Sequence, residues 1–185
     1  MKKNIIILIA FVFTVSLNAQ NRHMSFLGIP INGTIQNFHN KLVSKGFKLY
    51  ERKSDHYIYI GSFAGYPCEL YATFSQQTKT VYDVTLWFDE YLEIPCNYKF
   101  DEFEKAIKNK YGKSIFSDYD DDYNVTFYFK INKNDPEEDE EKTYGSIQLY
   151  VTHKDFYDEK EYALVLSFED RENFNKNKKD DMLDL

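Results

Sequence analysis

The chain opens with an apolar block, Ile5 to Val15, behind a short basic start, Met1-Lys2-Lys3-Asn4. Ser16-Leu17-Asn18-Ala19 then supplies a polar break that ends on a small residue before Gln20. This order is the pattern of a cleaved secretory signal, residues 1–19. The apolar run falls well short of the ~20 residues a membrane-spanning helix needs. No stop-transfer pattern follows it, so a cleaved signal is preferred to an N-terminal anchor. No Cys lies near the cut to carry a lipid. Export, to the periplasm or the medium, is the expectation.

Past the leader, Gly28-Ile29-Pro30-Ile31-Asn32-Gly33 is a turn-rich approach to a first helix. Thr34 is its N-cap, Ile35, Phe38, Leu42 and Val43 recur at helical spacing, and Gly46 is its stop. Four strand-like runs follow. In Cys68 to Ser75, Cys68, Leu70, Ala72 and Phe74 face one way and Glu69, Tyr71 and Thr73 the other. In Val81 to Phe88, Tyr82, Val84, Leu86 and Phe88 alternate with Asp83, Thr85 and Trp87. Such period-two patterning means strands with one face on a core.

A second helix carries Phe100, Phe103, Ala106 and Ile107 on one face. Asp101 and Glu102 fall in its first turn, Lys108 and Lys110 near its end, and Gly112 closes it. Three more strands are predicted, Val125 to Ile131, Ser146 to Thr152 and Tyr162 to Phe168. The acidic run from Asp135 to Glu141 is a solvated loop. The residues from Arg171 are mostly polar, which predicts a disordered tail over 171–185.

Helices are too few to cover both faces of a parallel sheet, so the expected class is α+β with antiparallel sheet and two amphipathic helices. Residues 20–170 form a single domain. Ile35, Phe38 and Leu42 match Phe100, Phe103 and Ile107 at a constant offset of 65. The match suggests a tandem helix-plus-sheet duplication, residues 26–92 and 97–170, set against chance agreement of two ordinary amphipathic helices.

Charge narrows the partners. Removing Lys2 and Lys3 with the leader takes the formal charge from −7 to −9. Phosphate backbones and anionic lipid are poor partners for such a surface, so neither nucleic acid nor, after cleavage, a membrane is expected. Cys68 and Cys96 form a candidate disulfide that would tie the second helix to the sheet, with two separate buried thiols as the alternative. There is no CxxC, no HExxH, no phosphate-cradling Gly-rich loop, and no serine placed as in a nucleophile elbow. The sequence names no catalytic residue and no cofactor. His23, His39, His56 and His153 are scattered and read as surface or capping residues. Asp118, Asp120 and Asp122 match the first three ligand positions of a calcium loop. Tyr123 stands where the turn glycine belongs and Phe129 where the bidentate Glu belongs, so a solvated turn is preferred.

Aromatic residues make up 18% of the chain, with 16 Tyr and 16 Phe. Phe falls mostly on core positions. Tyr71, Tyr128 and Tyr150 instead share the parity of Thr, Gln and Lys, and Trp87 that of Asp83 and Thr85. Were their strands neighbours, these four would form an aromatic platform for a protein or a glycan. The alternative is that Tyr is simply a favoured strand residue.

The opening Phe26-Leu27-Gly28-Ile29-Pro30-Ile31-Asn32-Gly33-Thr34, a short helix and Lys45-Gly46-Phe47 resemble small uncharacterised exported proteins of Bacteroidetes. The resemblance covers about the first half of the exported chain and carries no catalytic residues across. More distantly, tandem helix-plus-sheet units are similar to the β-lactamase-inhibitor protein and small outer-membrane assembly lipoprotein folds. In that inhibitor a concave aromatic sheet binds protein. This chain has one helix before each sheet and lacks the lipoprotein's anchoring Cys. The expected function is a non-enzymatic exported binding module. A hydrolase of cell-surface polymers using a carboxylate pair, and an envelope structural or assembly component, are the alternatives.

Overall fold

Helix α1, Ile35–Ser44, starts where the sequence places it. The Thr34 side chain accepts from the Asn37 amide, and Ile35, Phe38 and Leu42 are buried. Gly46 follows at φ +97°, a conformation that glycine adopts without strain. Val43, assigned above to the apolar face, is 45% exposed. The structure is a computed structural model that describes residues 23–183, apart from 91–92, 122, 135–137 and 157–158. The leader, residues 1–19, lies outside the described residues.

A short hairpin, β1 (Ser25–Phe26) and β2 (Ile29–Pro30), precedes α1. After α1 come β3 (Lys48–Arg52), β4 (His56–Phe63), β5 (Tyr66–Phe74) and β6 (Val81–Glu90). Helix α2 (Glu93–Tyr111) leads into β7 (Ile115–Asp121), β8 (Asn124–Lys130), β9 (Thr143–Phe156) and β10 (Glu159–Asp170). The last eight strands form one antiparallel sheet in the order β3-β4-β5-β6-β10-β9-β8-β7. The protein is therefore α+β. Each half of the sheet is a four-strand meander led in by a helix, and the two halves meet where β6 pairs with β10.

Both helices lie on the same face of this sheet, over one continuous core. Phe38 and Leu42 of α1, Phe100, Phe103 and Ile107 of α2, and the alternate strand residues Leu70, Leu86, Phe127, Leu149 and Leu166 all belong to it. Phe103 packs against Phe88 (ring centroids 5.3 Å apart), Phe63 (6.0 Å) and Tyr66 (6.1 Å). Each phenylalanine buried this way contributes about 1.5–3 kcal/mol.

Three expectations are corrected. The polar segment from Arg171 is not a disordered tail but helix α3, Arg171–Leu183. Its intrinsic amphipathicity is weak; tertiary contacts hold it. Phe174 sits edge-on to Tyr82 at 5.9 Å, and the buried Asn173 side chain donates to the Ile31 carbonyl at 2.9 Å. The second correction is the candidate disulfide. Cys68, on the core face of β5, and Cys96, inside the first turn of α2, are both buried and are not joined. Each fills space in the packing, as small apolar side chains do. Burial pushes the Cys68 thiol up to about 12.

The third correction concerns Asp118 to Asn124, expected as a solvated turn. Asp118 to Asp121 belong to an extra strand, β7, and Asn124 opens β8. Asp118 and Asp120 lie two residues apart along extended backbone, and Asp122 is outside the described residues. Asp120 falls at a register shift in the β7–β8 ladder, where the Asn124 side-chain amide donates to its carboxylate at 3.4 Å. Among the described residues no group of three or more His, Cys, Asp or Glu side chains could hold a metal.

Candidate functional site

The sheet's second face, away from α1 and α2, carries the residues whose parity opposes the core. Their neighbours follow from strand register. One row across the sheet reads Ile60, Glu69, Trp87, Val165, Tyr150, Asn124. The next row reads Ile58, Tyr71, Thr85, Ser167, Gln148, Thr126. Trp87 and Tyr150 thus flank Val165 of the central strand β10, about 10 Å apart at the usual strand spacing. Tyr71 is the diagonal neighbour of Trp87 on β5. All three aromatics are half-buried, and Val165 between them is wholly buried.

Polar groups border this cluster. The Tyr71 hydroxyl donates to Glu69 at 3.0 Å, which orients the ring along its own strand. At the β4 side Ile58 is nearly buried, while Ile60 is 46% exposed. The patch therefore combines aromatic and aliphatic surface with carboxylate and amide groups at its edges.

Tyr128 does not join it. It lies opposite Ser146, four residues along from the Tyr150 position and so about 13 Å further down the sheet. There it stacks on Phe116 with centroids 4.9 Å apart. Burial, a hydrogen bond to Glu140 and the negative charge of Glu140 and Asp118 push its hydroxyl up to about 12. The structure brings together Tyr71, Trp87 and Tyr150, and leaves Tyr128 with a different ring near β7.

The sequence reading missed Val165, Ile58 and Ile60. A signal for Val165 was present. Ala163-Leu164-Val165-Leu166 is an unbroken apolar run, and all four residues are buried. Such a run marks a strand covered on both sides rather than one with a solvent face.

A third row on the same face reads His56, Thr73, Asp83, Glu169, Ser146, Tyr128. Asp83 and Glu169 are direct cross-strand partners, and both carboxyls are held above their ordinary values, mainly by burial. The Thr85 hydroxyl donates to one Asp83 oxygen at 2.8 Å and the Ser167 hydroxyl to the other at 2.6 Å. Helix α3 packs at this end, with Phe174 on Tyr82 and the Lys178 charge acting on Glu169.

The four histidines stay apart. His23 meets Asp170, His39 meets the Tyr59 hydroxyl at 3.2 Å, His56 meets Asp55 at 2.8 Å, and His153 lies beside the Tyr162 ring. No helix is long and apolar enough to cross a membrane among the described residues. No family model, curated protein or solved structure matches the chain.

Proposed function

We propose that this chain is an exported, non-enzymatic binding module that engages a partner protein through the Tyr71, Trp87 and Tyr150 face of its sheet. The observation that carries the reading is the register that places Trp87 and Tyr150 on either side of Val165, with Tyr71 diagonal to Trp87. Tyr and Trp supply large contact area with a polar tip and are the residues that dominate protein interfaces. The exposed Ile60 extends the apolar surface, and the net negative charge favours a partner with basic groups at the rim. Export rests on the charge and hydropathy pattern of residues 1–19.

Trp87 is the sole tryptophan, which makes it a built-in reporter. Its emission is followed while fractionated envelope proteins, and separately soluble cell-wall glycan fragments, are added. A shift with a protein fraction that disappears in Tyr71→Ser/Tyr150→Ser supports the reading. A shift with glycan alone replaces protein by glycan as the ligand. Undiminished binding by the double variant, with its fold intact, removes the aromatic face from the function.

The opposed carboxyls Asp83 and Glu169 favour a second reading, a hydrolase of cell-surface polymers, because a raised carboxyl beside another acid is what general acid catalysis uses. Both Asp83 oxygens are already engaged by hydroxyls, which suits a structural role better. Release of reducing ends by the protein that is lost in Asp83→Asn would establish the hydrolase instead.

A further inference from the structure

On the opposite side of the sheet, between α2, the β1–β2 hairpin and the core face of β9 and β10, lies a pocket of about 170 Å³. Its floor is Phe26, Ile147, Leu166 and Phe168, all buried. Ala106 and Lys110 line it from α2, one helical turn apart, and both are exposed, so the mouth lies on their side. The lining is almost wholly apolar, and among the described residues Lys110 brings the one formal charge to it.

Volume and chemistry limit what fits. An apolar cavity of about 150 Å³ stays dry and admits benzene. A pocket of this size takes a body of about six to ten non-hydrogen atoms. Water gains little inside, since few polar atoms are there to hold it. The Lys110 ammonium lies 4.7 Å from the ring centroid of Tyr111, a second residue of the lining. A carboxylate placed beside that ammonium gains a charge-assisted contact that a neutral group does not.

We propose that this pocket binds a small apolar acid, its hydrocarbon or aromatic body against Phe26 and Leu166 and its carboxylate at Lys110. The site is separate from the aromatic row and stands whether or not that row binds a partner. A neutral compound of the same size fills the same space but lacks the charge contact, so acids are preferred over isosteric alcohols.

Benzoate and hexanoate, with benzyl alcohol and hexanol as neutral counterparts, are titrated into the purified protein by calorimetry and by NMR of the pocket side chains. Both acids are expected to bind and to shift the Leu166 and Ile147 methyl signals, with the alcohols weaker by about tenfold. Lys110→Met keeps the apolar stem and is expected to bring the acids down to the level of the alcohols. Ala106→Trp, at an exposed position on the mouth, is expected to abolish binding of both classes while leaving the melting temperature within a few degrees. Acids that bind Lys110→Met as tightly as the parent protein overturn the charge assignment. Saturating titrations that move none of the pocket signals overturn the site.

Discussion

His23 Nδ1 lies 3.0 Å from a carboxylate oxygen of Asp170, a residue 147 positions further along the chain. The same carboxylate accepts the Met24 amide at 2.8 Å and the Asn173 amide at 3.1 Å. One buried side chain thus fastens the chain leading into β1 and caps the start of α3. Asp170→Ala removes a helix cap and leaves the buried Met24 amide without its acceptor. The expected cost is about 2–4 kcal/mol, the sum of a lost cap and an unsatisfied donor. Urea denaturation measures it, and limited proteolysis is expected to cut within α3 first. A loss below about 0.5 kcal/mol would mean that the contact is incidental to stability.

Stability is expected to rise on mild acidification. Asp83, Glu169 and Asp170 are all held above their ordinary values, with burial the largest cause in each. For a raised acid the folded state binds the proton more readily than the unfolded chain. Stability therefore falls as pH rises from the ordinary carboxylate range through the raised value, and is regained on the way down. Glu104 and Glu172 are lowered and act in the opposite sense, but only once the pH falls below about 4.5. The melting temperature is expected to be higher at about pH 5 than at pH 7. Asp83→Asn is expected to raise it at pH 7 and flatten the profile, and a profile that Asp83→Asn leaves unchanged would remove this carboxyl as a source of the effect.

Native protein is expected to react slowly with thiol reagents. Cys68 and Cys96 are both buried, and a thiol pushed up to about 12 carries little thiolate at neutral pH. Ellman's reagent should titrate two thiols per chain after denaturation and close to none before. Zero thiols in denaturant without reductant would show that the pair had oxidised.

Gly145 is where β9 passes closest to its surroundings. A Cβ there would run into the Met24 side chain and the backbone carbonyl of Glu169, and the carbonyl is held in the β9–β10 ladder. Gly145→Ala is expected to cost about 1–3 kcal/mol by overpacking. Gly33 has open space around its Cβ direction and no positive φ. Gly33→Ala should therefore shift stability by less than about 0.5 kcal/mol, and equal losses at the two positions would contradict the packing argument.

The local pattern carried much of this protein by itself. Thr34 and Gly46 mark the ends of α1, and the buried Ile35, Phe38, Leu42, Phe100, Phe103 and Ile107 follow helical spacing, while Val43 and Ala106 of the same pattern are exposed. Alternation along β5 and from Asp83 to Phe88 of β6 likewise told core from opposite face, since a strand has only two sides; at the register shift before Asp83 it failed, with Val81 in the core and Tyr82 against Phe174. Strand order is not written in alternation. Only long-range pairing placed β10 between β6 and β9 and set Val165 between Trp87 and Tyr150, while the β7–β8 hairpin put Tyr128 beside Phe116. The same holds for α3, too polar to be read as a packed helix, which exists where Asp170 caps it and where Phe174 and Asn173 meet Tyr82 and Ile31. Parity tells which way a side chain points; its neighbours depend on strand pairing, which brings Val165 beside Trp87 across 78 positions, and so does the shape of any site they make.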